Sequence, residues 1–394
     1  MKNKTIPYLI ARFFDGVSSG MFMMALPWIM LSEEDMGLFV AITALVCTTI
    51  SFTLTPFFAT WVDRHARKTI LILMQVVQAS TALMVFLVYW HGMGSHWILA
   101  FAQLLFWLSN DLAWCCNNAF TQENYQKSEY AKLSSYQEVV MQGTTLGVGA
   151  FAIILLEYWS MTEFALLAAS ASFISCLFYI MTPYTRQFIP TLQESFFTQL
   201  TATKDIFNKK RQLYTFLALS CLSYPVLTFL VKLVPIYFAE QGISGSWFAA
   251  WEVSYGLGAL LSGVLVAKLL TRYQHEKAMI VSIFIIAMVL IVMGIYLSPT
   301  LIILLTIILG FFNSYNRIAR TNKLHHEIAM DERGRVDGGL KLFSTLMQSL
   351  SYILIALLSH FRITEMGFVI VGVILLFASI KMLKLNKISS LQLI

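Results

Sequence analysis

The sequence predicts an all-α integral membrane protein that crosses the bilayer twelve times. Composition supports this fold class, because 58% of the 394 residues are hydrophobic and only 12% are charged, against about 25% charged in an average soluble domain. A soluble fold of this length has too little interior to hide that much apolar surface. The apolar residues also fall into segments close to the roughly 20 residues that a helix needs to span a bilayer.

Twelve apolar segments meet this length, six in each half of the chain. In the first half they are 6–31, 37–62, 69–90, 97–119, 133–156 and 162–182. In the second half they are 213–239, 247–270, 278–298, 301–319, 338–359 and 365–383. The longest polar stretch separates the halves, so the predicted domains are an N-terminal bundle at 1–182, a cytoplasmic linker at 183–212 and a C-terminal bundle at 213–394.

The distribution of basic residues predicts the orientation. Most of the 27 lysines and arginines fall in links that share one side of the membrane, whereas the link at 32–36 on the other side is acidic. Short links rich in Lys and Arg stay in the cytoplasm, so both termini are predicted to be cytoplasmic. Because the net charge of +6 follows from these links, it does not indicate a nucleic-acid partner.

Patterns typical of other functions are missing from the sequence. The five cysteines lie in apolar segments without C-x-x-C spacing, so neither disulfides nor a zinc site is expected. The chain has no P-loop, no nucleophile elbow and no metal-ligand cluster, and His325–His326 is a lone pair in a basic link. An enzyme, an ATP-driven pump, a cofactor and a bound metal are therefore not predicted.

A short charged run, WVDRHARKTI at 61–70, joins the second and third predicted helices and requires a tight hairpin. This run resembles the loop between helices two and three of the major facilitator superfamily, whose pattern is roughly G-x-x-x-D-R-x-G-R-K. Alanine replaces both glycines of the pattern, at Ala59 and Ala66. The charged positions of the pattern are matched by Asp63, Arg64, Arg67 and Lys68.

The two halves of the chain also look like repeats, since LLTRYQHEKAMI at 269–280 is a degraded partner of the 61–70 run. The resemblance implies the major facilitator fold, with two pseudo-symmetric six-helix bundles and a substrate site between them near the midplane. The VDRHxRK motif and the ERGRV link at 332–336 are most similar to the corresponding sequences of bacterial macrolide-efflux and siderophore-exporter proteins. That similarity implies a monomeric, proton-coupled exporter of an amphipathic or carboxylate-bearing small molecule, a siderophore or a drug, in the bacterial inner membrane.

In this superfamily the carboxylate that matches Asp63 lies against the start of the eleventh helix, where free N–H groups favour an anion. The resemblance therefore implies a conformational latch, which we define as Asp63, Arg64, Arg67 and Lys68. The alternative is that these charges are solvated and only set the topology. Ala66 is expected to weaken the turn, because a left-handed residue other than Gly costs about 1 kcal/mol or more.

Charged residues within predicted helices are candidates for proton coupling, since an unpaired charge in lipid is costly. Arg12 and Asp15 share one face of the first helix, and Asp111 lies at a similar depth in the fourth. We hypothesise that Asp111 carries the proton while Asp15 positions Arg12, with Asn110 bonding the protonated form. The alternative is a purely structural bridge from Arg12 to Asp15 or to Asp111.

Candidate substrate contacts come from both halves of the chain. Lys232 and Glu252, near the outer ends of helices seven and eight, either pair with each other or leave Lys232 to meet an anionic substrate. Rival functions are import of a polar metabolite and a non-transporting membrane receptor. The candidate substrate-binding residues are Arg12, Asn110, Lys232, Glu252, Asn313 and Asn316.

Overall fold

A computed structural model describes residues 2–31, 37–187, 204–243, 245–272 and 274–391. The predicted acidic link at 32–36 and much of the predicted linker at 183–212 lie outside the described residues. The helices of the first half are α1 (Lys2–Leu31), α2 (Gly37–Arg64), α3 (Arg67–Trp90), α4 (His96–Asn124), α5 (Tyr130–Tyr158) and α6 (Met161–Met181). Those of the second half are α7 (Arg211–Cys221), α8 (Ser223–Glu240), α9 (Gly245–Arg272), α10 (His275–Tyr296), α11 (Pro299–Glu327), α12 (Arg333–His360) and α13 (Met366–Leu391).

Each predicted span coincides with helical structure. The seventh span is divided at Leu222 into α7 and α8, so α9 to α13 correspond to predicted helices eight to twelve. Within the described ranges, nine helical segments are long and apolar enough to cross a membrane. Hydropathy located these segments because lipid-facing side chains must be apolar wherever a helix crosses the hydrocarbon core.

Several helices extend well beyond their predicted ends, and those predicted boundaries were wrong, including that of α13, which continues to Leu391 instead of 383. The fourth helix continues to Asn124 instead of 119, α11 reaches Glu327 instead of 319, and α12 begins at Arg333 instead of 338. Several of the added residues are polar yet buried, including Glu123 and Arg333. A hydropathy criterion ends a helix at such residues, whereas protein contacts let the helix continue.

The predicted hairpin at 61–70 is confirmed, since α2 ends at Arg64 and α3 begins at Arg67. The expected left-handed turn is wrong. Ala66 has φ −62° and ψ 119°, an extended conformation that any residue adopts and that is typical of the residue before a helix. The replacement of the family glycine by Ala66 therefore brings no backbone strain.

The first of two compact units contains α1 to α4, α6, α5 from Val140 onward, and Ile328–Gly338 at the start of α12. In its core Phe22 stacks on Phe106 with ring centroids 4.3 Å apart. The hydroxyl of Ser18 donates to the Ala168 carbonyl at 2.9 Å, which joins α1 to α6. Close packing and hydrogen bonds of this kind hold helices together in a bilayer, where apolar burial adds little.

The second compact unit contains Ala131–Val139 at the start of α5, α7 to α11, α12 from Gly339 onward, and α13. Three of its helices position candidate residues, with α8 carrying Lys232, α9 carrying Glu252 and α11 carrying Asn313 and Asn316. The predicted domain boundaries at 182 and 213 stay a prediction.

Candidate functional site

Asp63 lies in the last turn of α2 and is only 5% exposed. Its Oδ1 accepts a hydrogen bond from the Gly334 N–H at 2.6 Å, and its Oδ2 accepts from the Arg335 N–H at 3.0 Å. The Nε of Arg335 donates to the same Oδ2 at 3.2 Å. Because α12 begins at Arg333, both amides belong to the first turn, whose N–H groups lack partners within the helix. The Asp63 carboxylate therefore occupies an anion site at a helix N-terminus.

Two glycines of α12 make this contact possible. A Cβ atom at Gly334 would lie 2.4 Å from the carbonyl oxygen of Ala59, and one at Gly338 would lie 2.6 Å from the Ala59 Cβ. The glycines are four residues apart and so share one face of α12. That face reaches the backbone of α2 only because it has no side chains, as in other close helix pairs in membranes.

Arg67 is 2% exposed and makes a buried ion pair with Glu123, which is 1% exposed; Arg67 Nη1 lies 2.9 Å from Glu123 Oε2. Its Nη2 donates to the carbonyl of Met330 at 2.5 Å, just before α12. Glu123 also accepts from the Tyr184 hydroxyl at 2.6 Å and the Gln187 N–H at 3.0 Å. Burial is the main cause that raises the pKa of Tyr184, and its hydrogen bond to Glu123 is the second. The phenol therefore remains protonated and donates to the Glu123 carboxylate.

The other two latch candidates make different contacts. Lys68 donates from Nζ to the carbonyls of Ile180 at 2.7 Å and Thr182 at 2.9 Å, which caps the C-terminus of α6. Arg64 is half-buried, and its carbonyl accepts from Arg186 Nη2 at 3.1 Å. Of the four predicted latch residues, Asp63 and Arg67 therefore reach the segment that starts α12.

Arg12 and Asp15 form one of the two predicted bridges. Arg12 Nη1 lies 3.3 Å from Asp15 Oδ2, and Asp15 is buried. The second carboxylate oxygen accepts from Gln75 Nε2 at 2.8 Å. Both partners donate to the Asp15 carboxyl group, so Arg12 and Gln75 fix the position of this side chain.

Asp111 lies in a different setting, half-buried on α4 next to the half-buried Asn110. Its carboxylate accepts a hydrogen bond from the hydroxyl of Ser51 on α2. A hydroxyl can donate to a carboxylate or accept from a carboxylic acid, so this partner suits both protonation states of Asp111.

The candidate substrate contacts of the second unit differ in exposure. Lys232 and Glu252 are both exposed, and Lys232 acts on Glu252 electrostatically without a direct ion pair in the part of the chain that the structure describes. Asn313 is buried and donates to the Tyr255 hydroxyl at 2.8 Å. Lys232 therefore keeps an exposed ammonium group.

Asn316 is fully buried at the break between α7 and α8. Its Oδ1 accepts from the Ser220 hydroxyl at 2.9 Å, and its Nδ2 donates to the Ser220 carbonyl at 2.8 Å and the Ser223 hydroxyl at 2.9 Å. The amide thus provides a partner for the Ser220 carbonyl next to the break at Leu222, and it also bonds the hydroxyls of Ser220 and Ser223. In this conformation both of its N–H donors are used for structure.

The start of α5 carries another buried acid in a glycine contact. Glu138 is buried and forms an ion pair with Arg317 of α11. A Cβ atom at Gly263 of α9 would lie 2.9 Å from Cγ2 of Val139 and 3.4 Å from Cγ of Glu138. Within the second unit, the start of α5 is therefore held to α11 by an ion pair and packs closely against α9.

Comparison with known families identifies the fold. The family model described as Major Facilitator Superfamily matches residues 8–336. The chain belongs to the major facilitator superfamily. It is thus a multi-pass integral membrane protein and a secondary transporter of small molecules, not an enzyme. No match was found among curated protein sequences.

Solved structures confirm the predicted all-α membrane fold of this superfamily member. A bacterial homologue of the iron transporter ferroportin in an outward-facing state is similar over 97% of this chain and 99% of its own, at 15% identity and a TM-score of 0.80. The human organic anion transporter MFSD10 (TETRAN) is similar over 97% and 99%, at 11% identity and a TM-score of 0.69. The proton:xylose symporter XylE is similar over 97% and 95%, at 14% identity and a TM-score of 0.69.

Sequence reasoning missed Glu123, Glu138 and the buried contacts of Arg67. The stretch TQEN at 121–124 follows an apolar segment, and an acid in a link that was predicted to be cytoplasmic and basic was a usable signal for Glu123. Glu138 lies in EYAKLSSYQEVV at 129–140, which parallels ERGRVDGGLKLF at 332–343. That parallel indicated that α5 and α12 begin in a similar way, but it did not show which acid of the 129–140 stretch is buried.

The α2–α12 contact predicts a rescue experiment. Gly338→Ala is expected to speed hydrogen exchange of the Gly334 and Arg335 amides by about 5- to 150-fold, because overpacking typically costs about 1–3 kcal/mol and 1.4 kcal/mol is a factor of ten. Adding Ala59→Gly removes the Cβ that the new methyl group meets, so exchange should return close to the wild-type rate. Gly334→Ala is the matched control, since it meets the Ala59 carbonyl and Ala59→Gly leaves that oxygen in place. Equal rescue of both variants would contradict this packing.

Proposed function

We propose that this superfamily member is a proton-coupled exporter of an amphipathic or carboxylate-bearing small molecule, with a siderophore or a drug as the leading substrates. It acts as a monomer in the bacterial inner membrane, with both termini cytoplasmic. Bundles at 1–182 and 213–394, joined by the linker at 183–212, expose a central site to each side in turn.

The observation that carries this proposal is the carboxylate of Asp63 at the start of α12. Every bond in this contact is non-covalent and comes from two adjacent residues, Gly334 and Arg335. A small displacement of α12 would therefore break all three bonds together. Arg67 adds a fourth contact through the Met330 carbonyl. A contact that is fully made or fully lost is suited to a two-state latch.

The ion pair between Glu138 and Arg317 supports the same mechanism at the start of α5. Like Asp63, Glu138 is a buried acid in a contact that requires a glycine, here Gly263. We assign it the role of a second latch that opens when the first one does. When the latches open, both buried carboxylates lose their partners and need new ones or water. Partly opened states, in which a carboxylate is still buried but no longer paired, are therefore unfavourable.

Proton coupling is assigned to Asp111, with Asp15 positioning Arg12. Arg12 and Gln75 both donate hydrogen bonds to Asp15, which suits a positioning role for this acid. Ser51 can serve Asp111 with or without a proton. An acid that keeps its hydrogen bond in both states changes charge with little structural disturbance.

Substrate charge is inferred from the cations, not from the similar structures. Those structures belong to a homologue of an iron transporter, an organic anion transporter and a proton:xylose symporter, so the fold does not select a substrate. Lys232 is exposed and Arg12 is partly exposed; both attract carboxylates more strongly where water is excluded. Asn110, Glu252 and Asn313 are proposed to add polar contacts, while Asn316 would need to leave the α7–α8 break to do so.

Transport in proteoliposomes under an imposed pH gradient tests the proposal, with an iron-free siderophore and a macrolide as probes. Asp111→Asn is expected to abolish accumulation driven by the gradient but to retain exchange of substrate without a gradient. Asp205→Asn, an exposed change of the same type, should behave like the wild type. If Asp111→Asn still concentrates either probe using the gradient, Asp111 is not the coupling residue.

Direction is tested separately in cells. An exporter should release probe from preloaded cells faster than cells without the protein, and it should lower net uptake. Faster uptake of a polar metabolite with no effect on efflux would favour an importer instead.

A further inference from the structure

A groove of about 280 Å³ lies on α2 near the residue where this helix ends. Arg64 is the one lining residue that also belongs to the predicted latch. The apolar and aromatic walls of the groove lead to two basic side chains at the helix end. The residues that line it are Phe57, Phe58, Thr60, Trp61, Arg64 and His65.

The groove continues an exposed stripe along α2. Val46, Thr53, Phe57 and Arg64 are separated by seven, four and seven residues, spacings that keep them on one side of a helix. The first three are exposed and Arg64 is half-buried. From Thr53 to Arg64 the helix rises about 16 Å, roughly half of the ~30 Å hydrocarbon core. The stripe between them therefore has the length of one lipid leaflet and ends in a cation.

Positive charge is concentrated at this end of the stripe. His65 and Arg186 are exposed, and Arg186 Nη2 lies 3.1 Å from the Arg64 carbonyl. The arginines and His65 also lie at a helix C-terminus, where the backbone favours cations.

Trp61 gives the groove the character of a membrane interface. Its ring meets His65 edge-on with centroids 6.0 Å apart, and the His65 Nδ1 lies 3.1 Å from the Trp61 carbonyl. Indole rings prefer the boundary between hydrocarbon and headgroups. The basic side chains beside Trp61 are therefore expected at the depth of lipid phosphates.

We propose that this groove binds an anionic phospholipid of the surrounding bilayer. The phosphate is held by Arg64, His65 and Arg186, while one acyl chain lies along Phe57 and Thr53. Basic clusters next to membrane-spanning helices attract anionic lipids, and the apolar stripe adds a contact that a soluble phosphate cannot make. The proposal depends on the membrane location of the chain and not on its substrate.

Native mass spectrometry of the full-length protein in detergent tests this site, with phosphatidylglycerol and phosphatidylcholine of identical acyl chains as probes. The wild type should retain phosphatidylglycerol preferentially. Arg64→Gln/His65→Gln should reduce that retention about tenfold, whereas Lys209→Gln/Arg211→Gln, which removes two exposed bases elsewhere, should leave it unchanged.

A second measurement covers the case in which the double variant does not fold. Brominated phosphatidylglycerol should quench part of the tryptophan fluorescence of the wild type, and Trp61→Phe should remove that part. Equal retention of both lipids by the wild type, unchanged retention in a folded Arg64→Gln/His65→Gln protein, or unchanged quenching in Trp61→Phe would each overturn the proposal. Displacement of the lipid by glycerol 1-phosphate at similar concentration would also overturn it, because the site would then recognise free phosphate.

Discussion

A Glu123→Ala variant is expected to lose about 3–5 kcal/mol of stability, because it leaves the buried guanidinium of Arg67 without its carboxylate. Arg67 and Glu123 are 2% and 1% exposed, so water cannot easily replace the missing partner. The hydroxyl of Tyr184 and the N–H of Gln187 also lose their acceptor. Thermal unfolding of the purified protein, followed by size-exclusion chromatography after heating, measures the loss.

Glu327→Ala is the matched control for this experiment. It removes an ion pair with Lys323 at 3.1 Å in which the Glu327 side chain is 42% exposed, and such pairs contribute only about 0–1 kcal/mol. Replacing both buried partners, as Arg67→Met/Glu123→Leu, should recover much of the stability, since apolar residues can substitute for a buried ion pair. Equal losses of stability in Glu123→Ala and Glu327→Ala would show that the buried ion pair contributes no more stability than the exposed one.

The positions of the helices could be predicted from the sequence because the bilayer imposes a length and an apolar surface on each span. The C-terminal end of α4 and the N-terminal end of α12 could not be predicted in this way. Glu123 and Arg333 continue their helices only because protein partners meet their charges. Those partners are Arg67, which is 56 residues from Glu123, and Asp337, which is four residues from Arg333. A hydropathy average cannot show that two charged residues are paired.

The candidate site was predictable in part. The contact of Asp63 with α12 followed from the resemblance in one short loop, and the expected penalty at Ala66 was wrong because the chain enters α3 in an extended conformation. Ala59 was seen only as a departure from the family pattern, although its methyl group sets the packing against Gly338. Arg67 and Lys68 have the same charge in the sequence, yet one is buried beside Glu123 and the other caps α6.

Asp63→Asn is expected to loosen the start of α12 while leaving expression and membrane insertion intact. The Asn side chain keeps one acceptor for the Gly334 N–H, but its NH₂ group then faces the N–H and Nε donors of Arg335. Hydrogen bonds to a charged group contribute about 1.5–3 kcal/mol each, and 1.4 kcal/mol is a factor of ten. Exchange of the Gly334 and Arg335 amides should therefore become about 10- to 100-fold faster, and transport should fall sharply.

Hydrogen exchange separates the two interpretations of the charged loop without knowledge of the substrate. If Asp63 only marks topology, its side chain is dispensable once the helices are inserted, and Asp63→Asn should leave both exchange rates and transport unchanged. If Asp63 holds α12, exchange accelerates at the start of that helix and not at its far end near His360. Asp205→Asn, which changes an exposed acid, should alter neither region. Faster exchange with normal transport would separate the two properties, because the contact would then stabilise α12 without limiting the transport cycle.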